Sequence, residues 1–275
     1  MNSGFFPYKN STVSYRQWGK GKEILILFHG FGDKAALFDV MEPSFGNHYK
    51  AYAISLPYHG FTEWKEGLFN KEDIESFIRI ILEKENASTF TILGYSMGGK
   101  ITINMVEIFP DQIKKIFLLA PDGIKTHPLY DIHGLPIWFI RFFKYLLKRP
   151  KTFFKLNKVI YKCGFLSKFL YDFTKNHFST PQQRDRFFNV SESIHDFKPD
   201  LEKLKILLNQ KDIPVEIFLG ERDEVILPES GKIFKERLNN CKVTFLPKGH
   251  LLVDEDLNMV FNELILNPDI ENTEF

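Results

Sequence analysis

The chain has 275 residues, enough for one large domain or for a domain that carries an insertion. Its 44% hydrophobic and 26% charged content excludes a disordered chain, and a net charge of +1 gives no reason to expect nucleic acid as a partner. Two widely spaced cysteines, Cys163 and Cys241, fit neither a disulfide framework nor a zinc site and read as free thiols in a reducing compartment.

In chain order, FPYKNSTVSYRQW reads as an opening hairpin turning near Asn10–Ser11. The same N-terminus lacks the basic and apolar regions of a secretion signal, and no apolar run reaches the roughly 18 residues that cross a bilayer. A soluble, cytoplasmic protein is expected. Short apolar runs follow at Ile24–Phe28, Ala51–Ser55, Phe90–Leu93 and Ile116–Ala120, then at Val215–Leu219 and Val243–Leu246. Most are continuous rather than alternating, as strands are when both faces of a mainly parallel sheet are covered. Helical patterns lie between them. In NKEDIESFIRIILEKE, Ile74, Phe77, Ile78, Ile81 and Leu82 form one apolar stripe; Asn70 is placed to cap it, and Glu72 and Asp73 suit the positive end of the dipole. Lys100–Phe109 reads as a helix stopped by Pro110, and PESGKIFKERL and DEDLNMVFNELIL supply two more. This alternation predicts an α/β sandwich with helices on both faces of a mainly parallel central sheet.

The alternation fails between residues 122 and 195. That stretch holds 13 Lys and Arg against 5 Asp and Glu, a net charge of +8, while the rest of the chain carries −7. It also holds 16 aromatic residues. The shift marks a helical cap insertion at 122–195 in a core formed by 1–121 and 196–275. Within it, LPIWFIRFFKYLLKRPKTFFKL keeps Arg141, Lys144 and Lys148 on one side among aromatics. The stretch reads as a cap helix with one polar stripe, or as a basic, aromatic surface that leans weakly on membranes. Either way its apolar walls suit an acyl chain or aromatic acid better than a sugar.

The chemistry centres on TILGYSMGGK, residues 91–100, which sets Ser96 between Gly94 and Gly98, after a strand and before a helix. A serine on such a tight turn takes a strained backbone that lifts its Oγ clear of the sheet edge, and flanking glycines avoid collisions there. It needs a base to take its proton and a carboxylate to orient the base. His250, in LPKGHLLVDED, follows the last strand, and Asp223, in FLGERDEVILPES, follows Val215–Leu219. Asp122, after Ile116–Ala120, and Asp196 are rival carboxylates. The other histidines have plainer readings. His29 and His59 brace their own loops; His127, His133, His177 and His195 are surface or cap residues; His48 lies on the surface. Two donors for a developing oxyanion are at hand in the backbone N–H groups of Met97 and of Phe31, in FHGFGD. No histidine pair shows metal-ligand spacing, and neither metal nor cofactor is expected.

FHGFG, GYSMGG, LGERDEVILP and KGHLL, in that order, resemble the α/β-hydrolase fold family, specifically its serine-nucleophile, esterase- and lipase-like members with a cap. The resemblance covers nearly the whole chain outside residues 122–195. It implies Ser96 as nucleophile, Asp223 as acid, His250 as base and the Phe31 and Met97 N–H groups as oxyanion hole, with His29, Gly30 and Tyr95 shaping the site. Relatives often carry Asp-x-Pro-Gly-x-Gly after the third strand; here SLPYHGFT puts Ser55 and Tyr58 in the Asp and first Gly places. A serine nucleophile turns the reading away from dehalogenase and epoxide hydrolase chemistry. What remains is acyl transfer, by attack on an ester, thioester, lactone or amide, and the leading reading is hydrolysis of a small-molecule ester of an apolar acyl or aromatic acid. Thioester, lactone and C–C bond hydrolysis use the same triad, and a non-catalytic binding protein on this fold is the second alternative.

Overall fold

In the computed structural model, which describes residues 1–125 and 136–266, the N-terminal hairpin forms as expected. β1 (Asn2–Tyr8) pairs antiparallel with β2 (Ser11–Trp18), and Lys9 makes the turn with a left-handed backbone, φ 52°. β3 (Glu23–Phe28), β4 (Tyr49–Ile54), β5 (Phe90–Tyr95), β6 (Ile113–Leu119), β7 (Val215–Gly220) and β8 (Cys241–Leu246) complete one eight-stranded sheet, ordered β1-β2-β4-β3-β5-β6-β7-β8. β3 to β8 run parallel; β1 and β2 are antiparallel at one edge. All six residues of β5 are buried, which is why its apolar run is continuous. The chain lays β4 on one side of β3 and β5 on the other. Such a reversal opens a crevice beyond the carboxyl ends of the strands.

Beyond β3, a tight 3-10 turn at Ala35–Met41 leads into the single-turn α1 (Glu42–Phe45). α2 (Lys71–Glu85) buries the five stripe residues, and Asn70 caps it in a reciprocal capping box with Asp73. Asp73 also accepts from Tyr8 Oη at 2.6 Å and pairs with Lys9 Nζ at 2.8 Å, tying the hairpin to the helix. α3 (Met97–Ile108) starts directly after Ser96, three residues earlier than its apolar pattern suggests, because the glycines of the turn are already helical. Four helices stand between β6 and the next core helix: α4 (Ile137–Leu147), α5 (Pro150–Lys162), α6 (Lys168–Phe178) and α7 (Pro181–His195). Leu147, Phe153 and Phe178 form a small buried cluster of their own there, with six further aromatic or leucine side chains packed on it. Much of the chain's phenylalanine goes into this second cluster. His127 and His133 lie outside the described residues.

α8 (Leu201–Gln210), α9 (Glu229–Lys235) and α10 (Leu257–Leu266) complete the fold. α8 escapes the sequence reading because its buried stripe is narrow: only Leu204, Lys205 and Leu208. Phe261 of α10 packs edge-on against Phe45, 4.5 Å between ring centres, closing the C-terminal helix onto α1. Among the described residues, no helix is long and apolar enough to cross a membrane.

Candidate active site

β5 delivers the chain to Ser96, whose backbone (φ 51°, ψ −118°) is one that L-residues rarely adopt. Four backbone hydrogen bonds hold it: Ser96 N–H donates to the Leu119 carbonyl at 2.9 Å, and its own carbonyl accepts from Gly99 N–H at 2.8 Å, Asp122 N–H at 2.9 Å and Lys100 N–H at 3.4 Å. The turn needs Gly98 because a Cβ there would run into the Phe28 carbonyl of β3.

Ser96 Oγ lies 3.0 Å from His250 Nε2, and His250 Nδ1 lies 2.8 Å from Asp223 Oδ2. The other Asp223 oxygen accepts from the N–H groups of Val225 (2.8 Å) and Ile226 (2.9 Å). The Asp223 side chain is wholly buried and that of His250 nearly so. The loops that carry them touch: a Cβ on Gly220 would strike the Gly249 carbonyl. Tyr95 donates through its hydroxyl to the His250 carbonyl at 3.1 Å, and its ring lies tilted 5.7 Å from the imidazole. Phe169 of α6 meets the imidazole edge-on at 5.9 Å. Every link lies within the 2.6–3.2 Å range over which protons pass between heavy atoms. The set can take a proton from a serine hydroxyl and hold the resulting imidazolium against a carboxylate.

Phe31 and Met97 line the same cavity as Ser96. Neither backbone N–H has an intramolecular acceptor among the described residues. The Phe31 ring points into the helices above, 5.8 Å from Phe173, 5.3 Å from His177 and 5.7 Å from Phe187. Two buried histidines clamp its loop. His29 Nε2 accepts from Leu56 N–H at 3.1 Å, so its Nδ1 donates to the Gly30 carbonyl at 2.7 Å. His59 Nε2 accepts from Gly32 N–H at 3.0 Å while its Nδ1 donates to the Pro57 carbonyl at 2.9 Å. The sequence reading gave His59 only its own loop; its hold on Gly32 crosses 27 residues and leaves no local signal. A Cβ on Gly30 would crowd Asp33 Oδ2 and the Tyr95 ring, which explains that glycine. In the departing SLPYHGFT loop, Tyr58 takes a left-handed backbone, φ 67°, suited to glycine, and Ser55 Oγ accepts from Ala35 N–H at 3.2 Å. The loop thus keeps a glycine-like bend without the glycine.

These groups set a pH dependence of stability. Burial lowers the His29 pKa to about 4 from its ordinary 6.5, and burial followed by the charge of His29 takes His59 well below 6.5. Groups with folded values below their unfolded ones contribute fully above pH 6.5 and lose that contribution as pH falls. Asp33 works the other way: burial raises it to about 6, so its cost fades on acidification. Burial also lowers His177 to about 4, but it is only half-buried and weighs less. Two buried histidines outweigh one carboxylate, so stability should fall by on the order of 2 kcal/mol between pH 7 and pH 5. Thermal unfolding across that range checks it; a midpoint that stays level or rises contradicts the assignment.

His250 is held by Asp223 and by neither rival carboxylate, although Asp122 lines the same cavity. Asp122 accepts from Gly123 N–H at 2.7 Å and sits 3.8 Å from Lys100 Nζ, and Asp196 is exposed at the end of α7. His48 is exposed, as expected. His195 and His177 both line the cavity. His177 packs on Phe31 and lies 3.4 Å from Arg186, whose Nε is buried without an acceptor among the described residues. Sequence reasoning missed Asp33 and Arg186. Asp33 could have been found, two residues beyond Phe31 in FHGFGD; Arg186 has no local cue. The cavity measures about 1360 Å³, and Phe31, Phe169, Phe173, Phe187, Val190 and Ile194 give it apolar walls.

A parallel sheet with a strained serine at its carboxyl edge, in reach of a carboxylate-held histidine, is the scaffold of a serine-type hydrolase. The family model for the alpha/beta hydrolase fold matches residues 23–257, and the chain belongs to that family. It is 25% identical over 257 residues to the uncharacterized hydrolase YugF of Bacillus subtilis, covering 91% of this chain and 92% of that one. It is 23% identical over 236 residues to a pimeloyl-[acyl-carrier protein] methyl ester esterase of Neisseria meningitidis, covering 81% and 83%. A carboxylesterase structure from Nitrososphaera gargenis superposes with a TM-score of 0.70 at 17% identity, over 97% of this chain and all of that one. The protein is an enzyme of the esterase- and lipase-like kind.

Proposed function

We propose that this enzyme cleaves a carboxylic ester of an apolar acyl or aromatic acid through an acyl-enzyme on Ser96. The observation that carries the reading is the unbroken relay from Ser96 Oγ through His250 to Asp223, at 3.0 and 2.8 Å, beside a phenylalanine-walled cavity. His250 removes the Ser96 proton as Oγ attacks the ester carbonyl, and Asp223 stabilises the imidazolium. The backbone N–H groups of Phe31 and Met97 hold the oxyanion. His250 then protonates the departing alcohol, takes a proton from the water that attacks the acyl carbonyl, and returns it to Ser96 Oγ as the acyl–Oγ bond breaks and the acid leaves. His29 and Gly30 shape the oxyanion loop, and Tyr95 fixes His250.

Residues 122–195 act as the cap that selects the acyl group, with a weak membrane contact through their basic, aromatic side. The reading sets the enzyme in the cytoplasm, where the free thiols of Cys163 and Cys241 stay reduced. Its support for an ester is the pimeloyl-[acyl-carrier protein] methyl ester esterase among its sequence relatives.

Hydrolysis of p-nitrophenyl esters from acetate to palmitate tests it. Turnover is expected on the series, rising beyond acetate as the chain fills the apolar walls, at about 0.8 kcal/mol per buried CH₂. A flat profile removes the apolar acyl pocket. Activity on thioesters or lactones alone moves the reaction away from simple esters.

A further inference from the structure

The two helices α4 and α5 carry exposed aromatic and aliphatic side chains among cations. On α4, Trp138 (67% exposed), Phe142 and Tyr145 stand at i, i+4 and i+7 spacing, open to solvent. Leu156 and Val159 of α5 are exposed as well, and Phe165, just beyond α5, is 84% exposed. Around them, Arg141, Lys144, Lys148 and Arg149 are exposed, followed by Lys151, Lys155, Lys158 and Lys162 of α5. No aspartate or glutamate occurs from residue 132 to residue 171. None of these eight cations forms an ion pair among the described residues, whereas Lys9, Arg16, Lys50, Lys115, Lys211 and Lys248 of the core all do. The inner faces are spent on the cap's own cluster through Phe143, Leu147 and Phe153, so the outer aromatics are surplus to folding.

Uncompensated cations beside exposed aromatics and aliphatics match the boundary of an anionic bilayer, where ring and aliphatic side chains enter the headgroup layer and lysines meet lipid charge. A single-stranded nucleic acid would use the cations and rings but gives Leu156 and Val159 nothing to stack on. A second copy of the same face would bring like charges together. Phe165, in the α5–α6 turn, precedes by four residues Phe169, which touches the His250 ring and lines the cavity.

We propose that the outer face of α4 and α5 docks on anionic lipid surfaces, and that the enzyme takes amphiphilic esters from them. The second clause rests on the esterase reading; the docking does not. Co-sedimentation with vesicles tests it, comparing phosphatidylcholine alone with phosphatidylcholine containing one-third phosphatidylglycerol. Pelleting is expected with the anionic vesicles only, and salt should weaken it. Lys151→Glu, Lys155→Glu and Lys158→Glu together should lower binding by on the order of a hundredfold. Trp138→Ala with Phe142→Ala should also lower it. Both variants should keep wild-type turnover of p-nitrophenyl acetate, and Ser96→Ala should bind vesicles like the wild type, so failure of docking and failure of catalysis are read separately. Equal pelleting on neutral vesicles, no pelleting on anionic ones, or capture by a single-stranded oligonucleotide or acidic protein in place of vesicles overturns the proposal. A triple charge reversal without effect does so too.

Discussion

Ser96→Ala should lower kcat for p-nitrophenyl esters by about 10⁵–10⁶-fold, the scale of loss when a nucleophile of this type is removed. The substitution deletes the atom that forms the acyl bond in the proposed mechanism. It leaves the turn in place, since the four backbone hydrogen bonds at residue 96 do not use the side chain and only the Oγ–His250 bond is lost. Alanine meets the same left-handed φ of 51° at no greater cost than serine. The unfolding midpoint should therefore stay near the wild-type value. What remains would be acceleration by the oxyanion donors and the cavity alone. Steady-state kinetics with careful exclusion of contaminating esterase checks it; residual activity above about 1% would place the nucleophile elsewhere.

Asp223→Asn should lower kcat by about 10⁴-fold with little change in KM. An amide has one acceptor and one donor end, and the site demands acceptors at both. If its oxygen keeps the Val225 and Ile226 N–H groups, its NH₂ faces His250 Nδ1 and forces the proton onto Nε2. Nε2 then has no lone pair for the Ser96 hydroxyl. If the amide flips, its NH₂ meets two backbone donors in a buried place and the loop is destabilised. Asp122→Asn is the control: that carboxylate serves Gly123 and Lys100 and should leave kcat within about threefold. A fall of tenfold or less on Asp223→Asn would show that another carboxylate orients the base.

How far the sequence carries depends on the range over which each feature is written. The parallel strands read clearly because most are continuous apolar runs, and α2 because its cap and stripe lie within sixteen residues. Ser96, Asp223 and His250 read clearly for a related reason. Each stands just past a strand, and parallel registry such as Phe28 beside Gly94 and Gly220 beside Leu246 brings those strand ends to one edge. What stays hidden is made between segments. His59 holds Gly32, Arg186 and His177 close over Phe31, and Ser55 anchors Ala35, each across a separation that no local pattern records. The composition of residues 122–195 announced helices, basic charge and aromatics. It did not say that Phe143, Leu147 and Phe153 turn inward while Trp138, Phe142 and Tyr145 turn out. That division needs the packing of α4 on α5.

The central claim is that Ser96 is a nucleophile activated by His250, and covalent trapping tests it most directly. The protein would be treated with a fluorophosphonate and examined by intact mass and peptide mapping. The expected result is one adduct per chain, on the Ser96 peptide, formed far more slowly in the Asp223→Asn variant. No adduct in the folded wild-type enzyme, or an adduct on another residue, would contradict the account.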